Sequence, residues 1–305
     1  MLRVKEFAMP LARIGRTSRP KRRKKMTRVF ATVTLVCLLA SGSALAGISQ
    51  NWGVISTAGD PDPVTAFDLN NPGASNVGLG FVDGNFNRGM DFYGESQFYY
   101  YVSTDSLNQP GDRGLWRWDN NVNAQLFNTP FSDSGDGDAT LSNDYSRFFI
   151  STDDGDSTSG DSIYVFDNLG GAVTFAEIGE TGLSQLIGIA MDPLSGLLYA
   201  YDSGTEALYT ISTTNAAPTL VGASGVSLGA IGGMDFSADG STLLLSVAGD
   251  LYKVDKNNGQ LTPSGDVGLN VSALSYRVPE PGTLTLLGLG ALALLRRRPM
   301  AWRGS

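Results

Sequence analysis

The chain has 305 residues and a net charge of −8, with no histidine and a single cysteine, Cys37. The lack of histidine excludes Ser-His-Asp and Cys-His catalysis, His-ligated zinc and imidazole bases. Seven basic residues face 29 acidic ones between Gly47 and Pro281, whereas 11 of the 22 Lys and Arg lie at or before Arg28; so acidic a middle repels nucleic-acid phosphates, and no nucleic-acid partner is expected.

The N-terminus reads as an export signal. A basic stretch, Lys21 to Arg28, precedes an apolar run, Val29 to Ala40, and the small residues Ala44 and Ala46 sit before Gly47. This three-part order predicts a signal peptide over residues 1–46, cut before Gly47 and handled by the Sec export machinery. Met26 is an alternative start that shortens the basic region. The apolar run is too short to span a membrane as an ordinary helix. Val36 stands where a lipoprotein site needs a small residue, so Cys37 is not a lipid acceptor. The exported region then has no cysteine and is held together by packing alone.

Residues 47–277 contain a repeat. Four segments align, beginning at Gly89 (GMDFYGESQFYYYVSTDS), Gly137 (GDATLSNDYSRFFISTDD), Gly188 (GIAMDPLSGLLYAYDSG) and Gly233 (GMDFSADGSTLLLSVAG). Their glycines are spaced 48, 51 and 45 residues apart, the period of propeller blades. Each is followed by a short strand (GLWRWD, SIYVFD, ALYTIS, DLYKVD) and then by another (AQLFNT, VTFAEI, PTLVGA, GQLTPS). Polar turns such as SADGS and DPLSG supply the tight connections. One such sheet cannot bury both faces, so the units must pack around an axis. A fifth inner strand, Val271 to Tyr276, lacks partners on its C-terminal side, whereas Val64 to Asn70 and Asn76 to Val82 offer spare strands. Joining the two ends in one split blade predicts an all-β fold, a propeller of about five four-stranded blades, with six blades or an open sandwich as alternatives. No segment shows a sustained helical period. The phrase MDFSADGSTLLLS resembles the strand-turn-strand element of bacterial propeller repeats.

Three groups of residues are candidates for chemistry. The Asp-rich loops 133–144 and 153–161 concentrate hard oxygen ligands on Gly-rich backbone, as calcium requires. Asp153, Asp154, Asp156 and Asp161 are the candidate ligands, but the EF-hand glycine and terminal glutamate are missing, and solvated blade turns explain the composition equally. No cofactor is expected, calcium being the one candidate. Tyr99, Tyr100, Tyr101, Trp116 and Trp118 would suit stacking on sugar rings, although alternation assigns about half of such residues to a core. Asp91, Asp138, Asp192 and Asp235 recur early in the four units, three of them after Met; they form either an axial ring of carboxylates or a repeated turn device.

The chain closes with Val278, Pro279, Glu280 and Pro281, then 14 residues of Gly, Thr, Leu and Ala over 282–295, then Arg296, Arg297 and Arg298. As a helix the apolar stretch would be about 21 Å long against a hydrocarbon core of about 30 Å, a marginal anchor. The arginines favour the cytoplasmic side, which agrees with an exported domain. This tripartite tail over 278–305 resembles the PEP-CTERM sorting signal of Gram-negative bacteria, although seven residues follow the arginines. The resemblance implies recognition by exosortase, transient membrane anchoring, cleavage near Pro-Glu-Pro, and delivery from the inner membrane to the cell surface or extracellular matrix. The expected protein is a non-enzymatic surface or matrix component associated with exopolysaccharide or biofilm. A calcium-dependent surface or periplasmic hydrolase of the lactonase type is the alternative.

Overall fold

A computed structural model describes residues 51–56, 61–82, 85–94, 97–104, 111–130, 137–152, 160–229 and 231–277. Among these there is no helix, and twenty strands form five four-stranded sheets. In chain order they are β1 (Asn51–Ser56), β2 (Asp62–Asp68) and β3 (Val77–Val82), followed by β4 (Asn85–Gly94), β5 (Gln97–Thr104), β6 (Gly114–Asp119) and β7 (Val122–Phe127). Next come β8 (Ala139–Leu141), β9 (Arg147–Thr152), β10 (Ser162–Asp167) and β11 (Thr174–Glu180). After them lie β12 (Leu186–Met191), β13 (Leu198–Asp202), β14 (Ala207–Ile211) and β15 (Pro218–Ala223). The last are β16 (Gly232–Phe236), β17 (Leu243–Val247), β18 (Asp250–Val254), β19 (Leu261–Asp266) and β20 (Val271–Tyr276).

Four sheets are antiparallel meanders of consecutive strands, and the fifth has the order β20-β1-β2-β3. The split blade expected from the sequence is therefore present, with β20 as its inner strand. β20 pairs antiparallel with β1, placing Trp52 opposite Tyr276 and Val54 opposite Leu274. The inner strands of neighbouring blades pack in the ring order β4, β8, β12, β16, β20 and back to β4. This is a five-bladed propeller.

Burial explains the division of labour within a blade. Inner strands are covered on both faces, so β12 (LIGIAM) and β16 (GGMDF) are buried throughout and, Asp235 apart, read as small and apolar runs. Outermost strands face solvent, and β15 and β19 are mostly exposed. The core lies in the five seams between blades, each with its own apolar cluster. In β5 the pleat sends Phe98, Tyr100 and Val102 into the seam with the split blade, and Tyr99 and Tyr101 into the seam with the next blade. Trp118 stacks on Phe98 at 4.9 Å, and Trp116 on Tyr100 at 6.1 Å. The aromatic run is thus core, not a sugar platform, because a strand in a propeller is packed on both faces.

Glycine marks the closest approach at the axis. Gly89 has φ of 71°, and a Cβ there would strike the backbone nitrogen of Ala139 in the next blade. Around Gly233 a Cβ would meet Leu274 N and the Ala273 backbone in the same way.

Candidate functional site

At one height on the axis the inner strands contribute Asp91, Thr140, Ala190, Asp235 and Ser275 in turn. In four of the five seams the side-chain oxygen at this position accepts a backbone N–H from the following blade. Leu141 N–H donates to Asp91 Oδ2 at 2.7 Å, and Met191 N–H to Thr140 Oγ1 at 3.2 Å. Tyr276 N–H donates to Asp235 Oδ2 at 2.8 Å, and Phe92 N–H to Ser275 Oγ at 3.1 Å. Ala190 has no oxygen to offer, and there the Phe236 N–H turns to Asp235 Oδ1 at 2.7 Å. The ring is a set of blade-to-blade clasps. Two residues earlier, where the first, third and fourth blades carry Gly89, Gly188 and Gly233, the second carries Asp138. Its Oδ2 accepts from Ile189 N–H at 3.0 Å and Met234 N–H at 2.7 Å, tying three blades together.

Three carboxyls thus lie close together, Asp138 and Asp235 buried and Asp91 partly open to the cavity. Ser275 Oγ stands 2.9 Å from Asp91 Oδ1 and 2.9 Å from Asp235 Oδ2. A hydroxyl has one proton, so it donates to one carboxylate while the other carboxyl carries its own proton and donates back. The electrostatics agree. Burial pushes Asp91 up to about 6, against the opposing hydrogen bonds from Leu141 N–H and the Ser275 and Thr140 hydroxyls. Burial, and then the nearby Asp91 charge, holds Asp235 well above the usual carboxylate range. Burial does the same to Asp138.

The inner strands all finish at the same end of the ring, and a cavity of about 150 Å³ opens there. Asp91, Asp235, Asn143, Tyr145 and Tyr276 are among its lining residues, with Met191 and Phe236 as apolar wall. Its rim is built by inner hairpin turns of one design. In SNDYS and SADGS, Asp144 accepts from the Ser142 and Ser146 hydroxyls, and Asp239 from those of Ser237 and Ser241. These bonds, Ser142 and Ser237 first, hold Asp144 and Asp239 down at about 2.

β20 ends at Tyr276 on this rim, and Arg277 after it is fully buried. From there the chain enters residues 277–298, which match the family model of the PEP-CTERM protein-sorting motif. The tail is a PEP-CTERM sorting motif. The match contains Val278, Pro279, Glu280, Pro281, Arg296, Arg297 and Arg298, all but Arg277 of it outside the described residues. A PEP-CTERM tail marks an exported protein that begins as a membrane-anchored precursor and is sorted to the cell surface by exosortase. No curated protein matches the chain. Among solved structures it is similar to a nidogen/laminin complex, with a TM-score of 0.51 and 12% identity over 75% of this chain and 99% of that one. It is also similar to a putative gluconolactonase (TM-score 0.45, 13% identity, 74% and 81% covered). A third similar structure is an auxiliary nutrient binding protein from Bacteroides thetaiotaomicron (0.42, 13%, 74% and 51%), of which the chain spans about half the length. At such identities the first likeness shows the fold alone.

The candidate residues are distributed as follows. Asp91, Asp138 and Asp235 meet at the axis, but Asp192 does not join them. Its blade reads Gly-Ile-Ala-Met-Asp where two others read Gly-Met-Asp, so the extra two residues carry Asp192 past the ring into the β12–β13 turn. There it accepts from Leu194 N–H and Ser195, and pairs with Lys256 Nζ at 3.0 Å. Burial opposes its charge, yet the Leu194 N–H, Lys256 and Ser195 together hold it below the usual carboxylate range. Replacing Lys256 with Met is expected to cost about 1–2 kcal/mol, between the values of exposed and fully buried pairs. Urea melts of the variant check this, and no change in midpoint would refute it. Asp161 is buried, and its carboxylate accepts from Leu186 N–H, fixing the entry to β12. Asp153, Asp154 and Asp156 lie outside the described residues, as do Ala44, Ala46 and Gly47 of the expected signal cleavage. Among the described residues no group of three or more acidic side chains is arranged to hold a metal. Sequence reasoning missed Thr140 and Ser275, which hold the same axial position as Asp91 and Asp235 although Asp138 and Ala273, not glycine, stand two residues before them.

Proposed function

We propose that this is a non-enzymatic binding protein of the cell surface or matrix, associated with exopolysaccharide, whose axial cavity takes a small neutral polar group such as a terminal sugar unit. The observation that carries the reading is the engagement of the cavity's carboxyls. Asp91 and Asp235 spend their oxygens on backbone N–H groups and on Ser275, and so serve as fixed hydrogen-bonding partners, not as a nucleophile or a mobile base. The size fits an end group: about 150 Å³ corresponds to roughly five water molecules' share of the liquid. Tyr145 stands half-exposed at the rim, where an aromatic face can meet a sugar ring. The sorting tail supplies the location.

The test is a glycan array run beside calcium calorimetry and an esterase and lactonase screen. Glycan binding weakened at least ten-fold by Tyr145→Ala, without turnover, is the expected result. Calcium-stimulated lactone or ester hydrolysis would overturn it in favour of the hydrolase.

A further inference from the structure

The place where the tail leaves the propeller has a consequence for the cavity. β20 finishes at the cavity rim, so the tail is rooted at that end and no other. Five residues lie between Tyr276 and Gly282, where the apolar run begins, so the six Cα-to-Cα steps reach about 20 Å at full extension. While the tail is in a membrane, the rim where β20 ends is held within about 20 Å of the lipid.

The surface at that end suits the position. Seven large apolar side chains are exposed among the described residues. Val77 and Phe81 lie on β3, Val122 on β7 and Leu220 on β15, all outermost strands. The other three, Tyr145, Leu194 and Leu197, are the ones carried on turns, and all three sit at the cavity end, on the β8–β9 and β12–β13 connections. The two turns are tied together, since Asn143 Nδ2 donates to the carbonyls of Asp192 and Pro193. Leu194 is 72% exposed, far more than packing requires. A tyrosine and two leucines projecting from tied turns fit the boundary between headgroups and acyl chains. Asp144 and Asp239 on the same end oppose anionic headgroups, so the contact is weak by itself and depends on the tether's effective concentration.

We propose that the cavity end is the lipid-facing end of the anchored precursor, with Tyr145 and Leu194 resting on the bilayer, and that removal of the tail frees this end and opens the cavity to large ligands. This holds whichever ligand the cavity takes.

The chain begun at Gly47, which keeps all twenty strands and the tail, is placed in vesicles of phosphatidylethanolamine and phosphatidylglycerol containing a nitroxide-labelled lipid. It carries a specific protease site in place of residues 278–281. A fluorophore is attached through Ala238→Cys, at the cavity rim, or through Ala248→Cys, on the β17–β18 turn at the opposite end. Quenching at position 238 is expected to exceed that at 248 at least two-fold and to fall to the same level after the cut. Tyr145→Ser with Leu194→Ser is expected to remove at least half of the excess in the anchored chain. Equal quenching at the two positions, or a chain that does not float with the vesicles, overturns the orientation. Unchanged quenching in the double variant overturns the lipid contact, and quenching that survives the cut overturns the release.

Discussion

A chain ending at Asn270 will fail to fold, whereas one ending at Arg277 will give a single cooperative melt. The seven residues between carry β20, whose Val271, Ala273 and Leu274 are fully buried. Their apolar burial alone contributes about 5 kcal/mol, comparable to the whole stability of a modest domain, which is about 5–15 kcal/mol. The loss does not stop there. Without β20 the inner edge of β1 is unpaired, Asp235 and Phe92 lose the Ser275 clasp, and two seams open at once. Near-UV circular dichroism and size exclusion of the two chains measure the difference. A cooperative melt from the shorter chain would show that the ring closes without its fifth inner strand.

Stability will fall as pH rises, the reverse of the usual carboxylate behaviour near neutrality. A carboxyl held above its unfolded value stabilises the fold fully below that value and loses the contribution as pH rises through the folded value. For Asp91 the window runs from about 4 to about 6, and the difference is worth on the order of 3 kcal/mol. Asp138 and Asp235, also raised, extend the decline to higher pH. Asp144 and Asp239 act in the opposite sense, but at about 2, so their loss on acidification lies below this window. Asp91→Asn keeps the shape and stays neutral. Unfolding free energies from denaturant melts are expected to match the wild type at about pH 4 and to exceed it at about pH 8 by up to about 3 kcal/mol. Asp235→Asn should behave likewise, and because the two share Ser275 the gains should not add. A wild-type midpoint that rises between these two conditions would refute the shared proton.

The ring was legible in the sequence because each blade repeats one physical problem. An inner strand buried on both faces must be small and apolar, and VSALSY answers to that description as GGMDF does, so β20 announced itself as an inner strand without partners. Its neighbour β1 did not. NWGVIS is short, carries glycine in its middle, and follows directly on the expected signal cleavage, so its pairing with β20 shows only in three dimensions. The axial clasps were half legible. Met-Asp repeats pointed to the right chemistry in two blades and to the wrong residue in a third, because position is counted from the axial glycine, not from the methionine. Threonine and serine fill the same role as aspartate, and a pattern written in carboxylates passes over them. Exposure of the aromatic run could not be judged from alternation, since both faces of β5 are interior.

The pairing of β1 with β20 also sets a timetable. Ser272 and Ile55, hydrogen-bonded in the finished sheet, are 217 residues apart in the chain. Contacts so distant in sequence form late and slowly, because the loop must be closed before the contact rewards it. A chain that emerges N-terminus first therefore presents four blades and three strands of a fifth, with open edges, before the last inner strand arrives. The next residues to emerge are those of the sorting tail. Only Arg277 and Val278 stand between the last inner strand and Pro-Glu-Pro, so a chain whose ring is still open already carries its delivery signal.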